Sequence, residues 1–120
     1  MKGHVDDHNR ALLDINICRS VDEHGFMVTA WIDTAFDGHL VLSTSLMKEL
    51  ELETLVETEA VLADGSKVLV ETFLRFVGWF GNRIPAQVIA NDGNYPLLGT
   101  GLLTTRRLTI DYQGQVLSLD

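Results

Sequence analysis

Short runs of β-branched and aromatic residues recur along this chain, each broken by Gly, Asp or Asn, and that rhythm constrains the fold more than any other feature. The clearest instance is residues 56–62 and 67–77, two strand-like arms joined by Ala63-Asp64-Gly65-Ser66. Asp-Gly between such arms suits a tight hairpin turn with positive φ. From Leu13 onward, Leu-Asp-Ile-Asn-Ile alternates apolar and polar at the period of two that a half-buried strand requires. Residues 22–25 then turn the chain, residues 26–32 return as the second arm of a hairpin, and residues 40–42 follow as a short buried strand. Ser43 or Thr44 caps a short helix, ending near Leu50, in which Leu46, Met47 and Leu50 share one face. Gly81-Asn82 marks a reversal that pairs residues 72–80 with 83–90, placing Pro85 near a strand start or an edge. Residues 95–103, punctuated by Gly99 and Gly101, fit a buried strand, a sharp turn and a short helix. Residues 108–112 and 115–119 close the chain as a hairpin. The sum is about seven to nine short strands with one or two short helices, a mostly β closed barrel or sandwich.

Its 120 residues make one domain, expected over 11–120 behind a flexible N-terminal tail at 1–10. With 46% hydrophobic and 22% charged residues, the composition is that of a folded globule. The net charge is −8, and the nine Lys and Arg are scattered, so no basic stripe exists to hold a phosphate backbone and nucleic acid is excluded as a partner. No apolar run approaches the roughly eighteen residues of a membrane span, and residues 1–8 lack an apolar leader; a cytoplasmic protein without membrane contact is expected. Cys18, the single cysteine, reads as a small core residue. His4 and His8 have i, i+4 spacing, but nothing pins them to a helix and no third ligand is evident. Neither a metal nor a cofactor is expected.

The chemistry concentrates in Ala30-Trp31-Ile32-Asp33-Thr34-Ala35-Phe36-Asp37-Gly38, where an apolar run expected to be a buried strand at 28–32 ends in a carboxylate and a hydroxyl. Two roles fit Asp33. A carboxylate emerging from an apolar strand is partly desolvated, which disfavours its charged form and suits it to acid–base work near neutral pH. Asp and Thr also satisfy loose backbone groups in turns, and that role alone would account for Asp33-Thr34.

Three segments stand in a fixed order: an apolar strand ending in Asp33-Thr34-Ala35, a hairpin tipped by Ala63-Asp64-Gly65, and Pro96-Leu97-Leu98-Gly99 followed by Leu102-Leu103. This order resembles the retropepsin-like aspartic proteases, and more closely the small single-domain aspartyl proteases found in prokaryotes. The resemblance covers roughly residues 12–119. It implies a homodimer in which Asp33 of each subunit meets its mate at a two-fold axis, and an extended peptide or protein as substrate. It further implies that Thr34 braces the two active-site loops against each other and that residues 63–66 form a flap over bound peptide. Leu98 and Gly99 would support the catalytic loop from beneath. The sequence departs from the family at Ala35, where glycine is usual, and at Thr100-Gly101, where Asp or Asn commonly precedes the helix. The alternative that Ala35 keeps open is a non-catalytic dimeric module of the same fold that binds a peptide or protein.

Asp111, in Leu-Thr-Ile-Asp-Tyr, also ends an apolar run but is followed by Tyr112, and it reads as an edge or turn residue. Asp14 points outward from its strand. His39 lies near Asp33 in sequence, yet no serine or cysteine stands out as its nucleophile. Glu49, Glu51, Glu53, Glu57 and Glu59 read as a solvated acidic face.

Overall fold

The computed structural model describes residues 1–50, 56–61, 67–93 and 95–120. Its centre is an antiparallel hairpin of β2 (Ala11–Cys18) and β3 (Phe26–Ile32), in register from Leu12 opposite Trp31 to Ile17 opposite Phe26. Alternation turns Leu13, Ile15 and Ile17 inward with Val28, Ala30 and Ile32, all buried. The end of β3 is therefore not buried throughout, as the crowding of its apolar residues suggests. The same alternation leaves Met27 68% and Trp31 38% exposed. Cys18 is buried, with its thiol donating to the Phe76 carbonyl.

The remaining elements are β1 (Lys2–Val5), β4 (Leu40–Ser43), α1 (Thr44–Glu49), β5 (Val56–Val61), β6 (Lys67–Trp79), β7 (Asn82–Asn91), β8 (Leu97–Leu98), a 3-10 turn (Thr100–Leu102), β9 (Leu108–Asp111) and β10 (Val116–Leu119). Ser43 caps α1, its hydroxyl accepting the Leu46 N–H. Strands β6 and β7 are joined through Phe80 and Gly81, both at positive φ, the backbone that a two-residue hairpin turn needs. Pro85 lies within β7 on its exposed side, and β4 pairs with β7 only from Val88 onward, so no neighbour misses the absent N–H. The hairpin tip 63–66, expected as a flap, lies outside the described residues.

The strands follow the order β5-β6-β7-β4-β8-β3-β2-β1-β10-β9, and β6 also pairs with β2 at Val77–Ile17 and Phe76–Cys18. That last pairing closes β6, β7, β4, β8, β3 and β2 into a ring around Leu13, Ile15, Ile17, Leu40, Leu42, Phe73, Val77, Val88 and Leu98. Each such side chain stabilises the fold by about 1.5–3 kcal/mol relative to exposure, so the ring interior dominates stability.

Within the segment 1–10, expected as a flexible tail, Lys2–Val5 belong to the sheet as β1. β1 fits between β2 and β10, with Lys2 opposite Ser118 and His4 opposite both Val116 and Leu12. Gly3 allows the close approach, because a Cβ there would collide with the Leu12 carbonyl and the Leu117 side chain. The segment has too few apolar residues to read as a strand alone; its order comes from the two strands flanking it.

Candidate active site

β8 is the element that positions Asp33. It runs parallel to β3, with Trp31 beside Leu97 and Ile32 beside Leu98, and antiparallel to β4, with Leu40 beside Leu98. A late strand thus lies between two early ones. The Trp31 N–H donates to the Pro96 carbonyl at 2.8 Å and the Asp33 N–H to the Leu98 carbonyl at 2.9 Å, so the backbone of Asp33 is pinned where β3 ends. Leu98, fully buried between β3 and β4, anchors the strand in the core.

Beyond Asp33 the chain turns on itself. One carboxylate oxygen, Oδ1, accepts the Ala35 N–H at 3.0 Å, and the Asp33 carbonyl accepts the Phe36 N–H at 3.2 Å. The turn-forming role is therefore present. It occupies one oxygen and leaves Oδ2 without a hydrogen-bond partner among the described residues. Ala35 is exposed and is not among the residues at positive φ, so the backbone here imposes no demand for glycine. Thr34 is exposed and Asp33 half-buried.

The loop after Asp33 is stitched to the segment after β8. The Phe36 carbonyl accepts both the N–H and the hydroxyl of Thr100, at 2.8 and 3.2 Å. Gly99 N–H donates to the His39 carbonyl at 2.9 Å, and Gly101 N–H to the Gly38 carbonyl at 3.0 Å. Both glycines are required by proximity: a Cβ on Gly99 would meet the Gly38 carbonyl and the Phe36 ring, and one on Gly101 would lie 2.6 Å from His39 Cδ2 and 2.8 Å from the Gly38 carbonyl. Thr100-Gly101, a departure from the resembled pattern, thus supplies its own support, a hydroxyl and a close backbone contact. Leu98 and Gly99 touch this loop, Leu98 through the Asp33 N–H and Gly99 against Phe36 and the Gly38 carbonyl.

Asp33 opens into a pocket of about 290 Å³ lined by Trp31, Ile32, Thr34 and Leu97. It holds one carboxylate. Trp31 shares the face of β3 with Asp33, and its ring packs edge-on to Tyr95, with centroids 6.0 Å apart. Arg10 lies over both rings. The sequence pointed to neither Arg10 nor Tyr95; for Trp31, its place two residues before Asp33 on an alternating strand was the available signal. A larger hollow of about 420 Å³, lined by residues 43–45, Lys48 and residues 91–93, is polar. Its polar groups serve local caps, since Ser43 Oγ accepts from Leu46 and Asn91 Oδ1 from Gly93.

The other candidates have structural partners. His39 Nδ1 accepts the Gln87 N–H at 2.9 Å, which engages its ring in holding β7. Asp14 is exposed and takes the Thr29 hydroxyl across the β2–β3 ladder. Asp111 ends the edge strand β9, as expected. His4 sits on β1 and His8 in the turn after it, and no group of three or more His, Cys, Asp or Glu side chains among the described residues could hold a metal. No helix among the described residues is long and apolar enough to cross a membrane.

No protein-family model matches the sequence, and no curated protein matches it. Solved structures do. A retropepsin-like aspartic protease from Rickettsia conorii superposes with a TM-score of 0.68 at 17% identity, over 99% of this chain and 88% of that one. EIAV protease complexed with the inhibitor HBY-793 superposes with a TM-score of 0.57, also at 17% identity, over 83% of this chain and 90% of that one. The strand ring, the inserted β8 and the Asp33 loop that it touches together make a retropepsin-like fold.

Proposed function

We propose that the protein is a homodimeric aspartic endopeptidase in which Asp33 and its symmetry mate activate water for hydrolysis of an extended peptide. The observation that carries this reading is the half-buried Asp33, pinned through its N–H to Leu98 with Oδ2 unengaged at a pocket, in a fold shared with aspartic proteases. Two carboxylates do this chemistry in complementary states. The ionised one takes a proton from water while the protonated one hydrogen-bonds the scissile carbonyl. The pocket of a single chain provides one, and a two-fold contact provides the second. Two such groups at about 3 Å share one proton and titrate as a unit. Thr34 and Ala35 are exposed on the single chain, which supports a role for them in contact with the second copy. Residues 63–66 would cover the bound peptide and exclude water.

The test is cleavage of a diverse peptide library from acidic to neutral pH by the parent and by Asp33→Asn, after sedimentation has established the state of each. Cleavage by a dimeric parent that disappears in Asp33→Asn supports the assignment. A folded dimer that cleaves nothing, yet gains activity as Ala35→Gly, would instead be a binding module. A monomer at micromolar concentration would remove the shared site.

A further inference from the structure

We propose that His39 is a positioning residue whose neutral imidazole clasps the Asp33 loop to β7, and that protonation of the ring opens this clasp, so that the loop is held near neutral pH and released in acid. The effect on cleavage rests on the reading of Asp33 as catalytic; the clasp itself does not.

The loop from Asp33 to His39 is fastened on one side by backbone bonds. The Asp33 N–H donates to the Leu98 carbonyl, the Thr100 and Gly101 N–H groups to the Phe36 and Gly38 carbonyls, and the Gly99 N–H to the His39 carbonyl. All of these partners belong to residues 98–101. A side chain ties the loop to β7. His39 Nδ1 accepts the Gln87 N–H at 2.9 Å. β4 and β7 pair from Leu40 opposite Val88, so His39 and Gln87 stand one step before that ladder begins. There the His39 carbonyl is taken by Gly99, and the ring supplies the acceptor for Gln87 in its place. The ring also packs on the 3-10 turn, since a Cβ on Gly101 would lie 2.6 Å from its Cδ2.

Only the neutral ring fits this position. An imidazole that accepts through Nδ1 carries its proton on Nε2, whereas the imidazolium donates from both nitrogens and accepts at neither. Protonated, His39 would set Nδ1–H against the Gln87 N–H, two donors with no acceptor between them. Histidine is the side chain whose charge ordinarily changes between about pH 5 and 8. The native contact requires the deprotonated form, so acid favours its opening. β4, β8 and the 3-10 turn carry no ionisable side chain, and the one on β7 is Arg83, whose guanidinium donates to the Val21 and Glu23 carbonyls. On β6, Leu74 lies opposite Gln87, and Arg75 beside it is buried with its guanidinium over the Phe73 ring. Asp33 and Asp37, in the loop itself, favour a charged ring, which adds to opening and cannot restore a bond that needs the Nδ1 lone pair. Because the bond is exposed, water takes the Gln87 N–H once the ring leaves, and the effect is roughly twofold to tenfold, the net worth of one hydrogen bond.

The test compares the full chain with His39→Asn, in which Oδ1 stands where Nδ1 does and accepts at any pH. The first readout is protection of the Gln87 and Phe36 amides from hydrogen exchange, relative to the unstructured rate, at about pH 7.5 and about pH 5. Protection is expected to fall toward acid by roughly twofold to tenfold in the parent and to hold in His39→Asn. The second readout is the ratio of kcat/KM between parent and variant on one cleaved peptide at the same two pH values. Titration of the Asp33 pair is common to both proteins and cancels, and the ratio is expected to fall toward acid by the same factor. Protection that is unchanged in the parent, or that falls equally in His39→Asn, overturns the clasp. Protection that falls while the kcat/KM ratio stays constant overturns the positioning role. If neither protein cleaves any peptide, the peptidase reading fails, while the Gln87 and Phe36 amides still sustain or overturn the clasp. Should His39→Asn not fold, nitrogen NMR of the parent ring decides: Gln87 protection must be lost as Nδ1 takes its proton, and a loss at any other pH overturns the proposal.

Discussion

Among the described residues, Asp6, Asp33 and Asp111 each stand at or just after the end of a strand, and comparing Asp33 with Asp111 shows how little of a site is local. Both follow an isoleucine. Both use Oδ1 to accept a nearby backbone N–H, Asp33 from Ala35 at 3.0 Å and Asp111 from Gly114 at 2.9 Å. The difference lies in the neighbours. Among the described residues β9 is an edge strand of the sheet, paired only with β10, and Asp111 is exposed. β3 is interior, with β8 laid against its last two residues, and Asp33 is half-buried. A hollow of about 260 Å³ also borders Asp111, lined in part by Val116 and Leu117, so an adjoining hollow with apolar walls does not by itself set the two aspartates apart. Asp6 is the third case, directly after β1, with Arg10 as its ionic partner.

The sharpest way to break this comparison is to neutralise each carboxylate in turn. Asp33→Asn is expected to lower peptide cleavage by a factor of about 10² to 10⁴ or more, the range that a positioned acid–base group supplies. Asp111→Asn keeps its oxygen acceptor and is expected to leave cleavage unchanged, with stability within about 0.5 kcal/mol of the parent. Equal losses in the two variants would show that strand-end position, rather than β8, makes the site.

Next in size is the support beneath the two residues. Leu98→Ala, at a fully buried position, is expected to cost about 2–5 kcal/mol in urea unfolding, a large part of the roughly 5–15 kcal/mol that holds such a domain. Ile110→Ala, half-buried under Asp111, is expected to cost clearly less. The nearby glycines separate the two regions again. Gly99→Ala drives a methyl into the Gly38 carbonyl and the Phe36 ring and is expected to cost about 1–3 kcal/mol. In Gly114→Ala the methyl meets the Asp111 side chain, 2.6 Å from Oδ2, which can rotate into solvent, and the cost is expected below about 1 kcal/mol. Thermal unfolding ranks the pair.

The smallest effect concerns Asp6 and is read by pH. Burial works against its charge, but the N–H and guanidinium of Arg10 and the N–H of His8 outweigh it and hold the carboxyl below its ordinary 3.8. A carboxylate with a depressed folded pKa stabilises the native state above 3.8 and loses that contribution as pH falls through the folded value. The midpoint of unfolding is therefore expected to drop below pH 3.8 with a step that Asp6→Asn lacks, while Asp111→Asn retains it. A step that persists in Asp6→Asn would assign it to another group.

Much of the local structure was legible in the residues. The strand at Phe26–Ile32, the capped helix after Ser43, the reversal at Gly81 and the final hairpin follow from alternation, capping and turn chemistry, which act between neighbours. Trp31 is exposed although the apolar residues crowded around it point to burial; strand alternation turns it to the outer face, where it lines the pocket. β1 escaped because nothing in Lys-Gly-His-Val marks a strand until β2 and β10 are placed on either side. Arg10 and Tyr95 escaped for a related reason: most of the chain separates them, and only folding stacks one on the other.

By itself, the sequence determined that the chain would be built from short strands, where most of them begin and end, and that Asp33 would stand at a strand terminus. Turns, caps and period-two patterns depend on residues a few positions apart, so they can be read in one dimension. Only the tertiary structure decided that β8 lies between β3 and β4, that β6 closes the ring onto β2, and that Asp33 rather than Asp111 is half-buried at the end of an interior strand. Those pairings join distant segments through backbone hydrogen bonds that any residue can make. Their choice is set by which arrangement buries Leu98, Phe73 and their neighbours together.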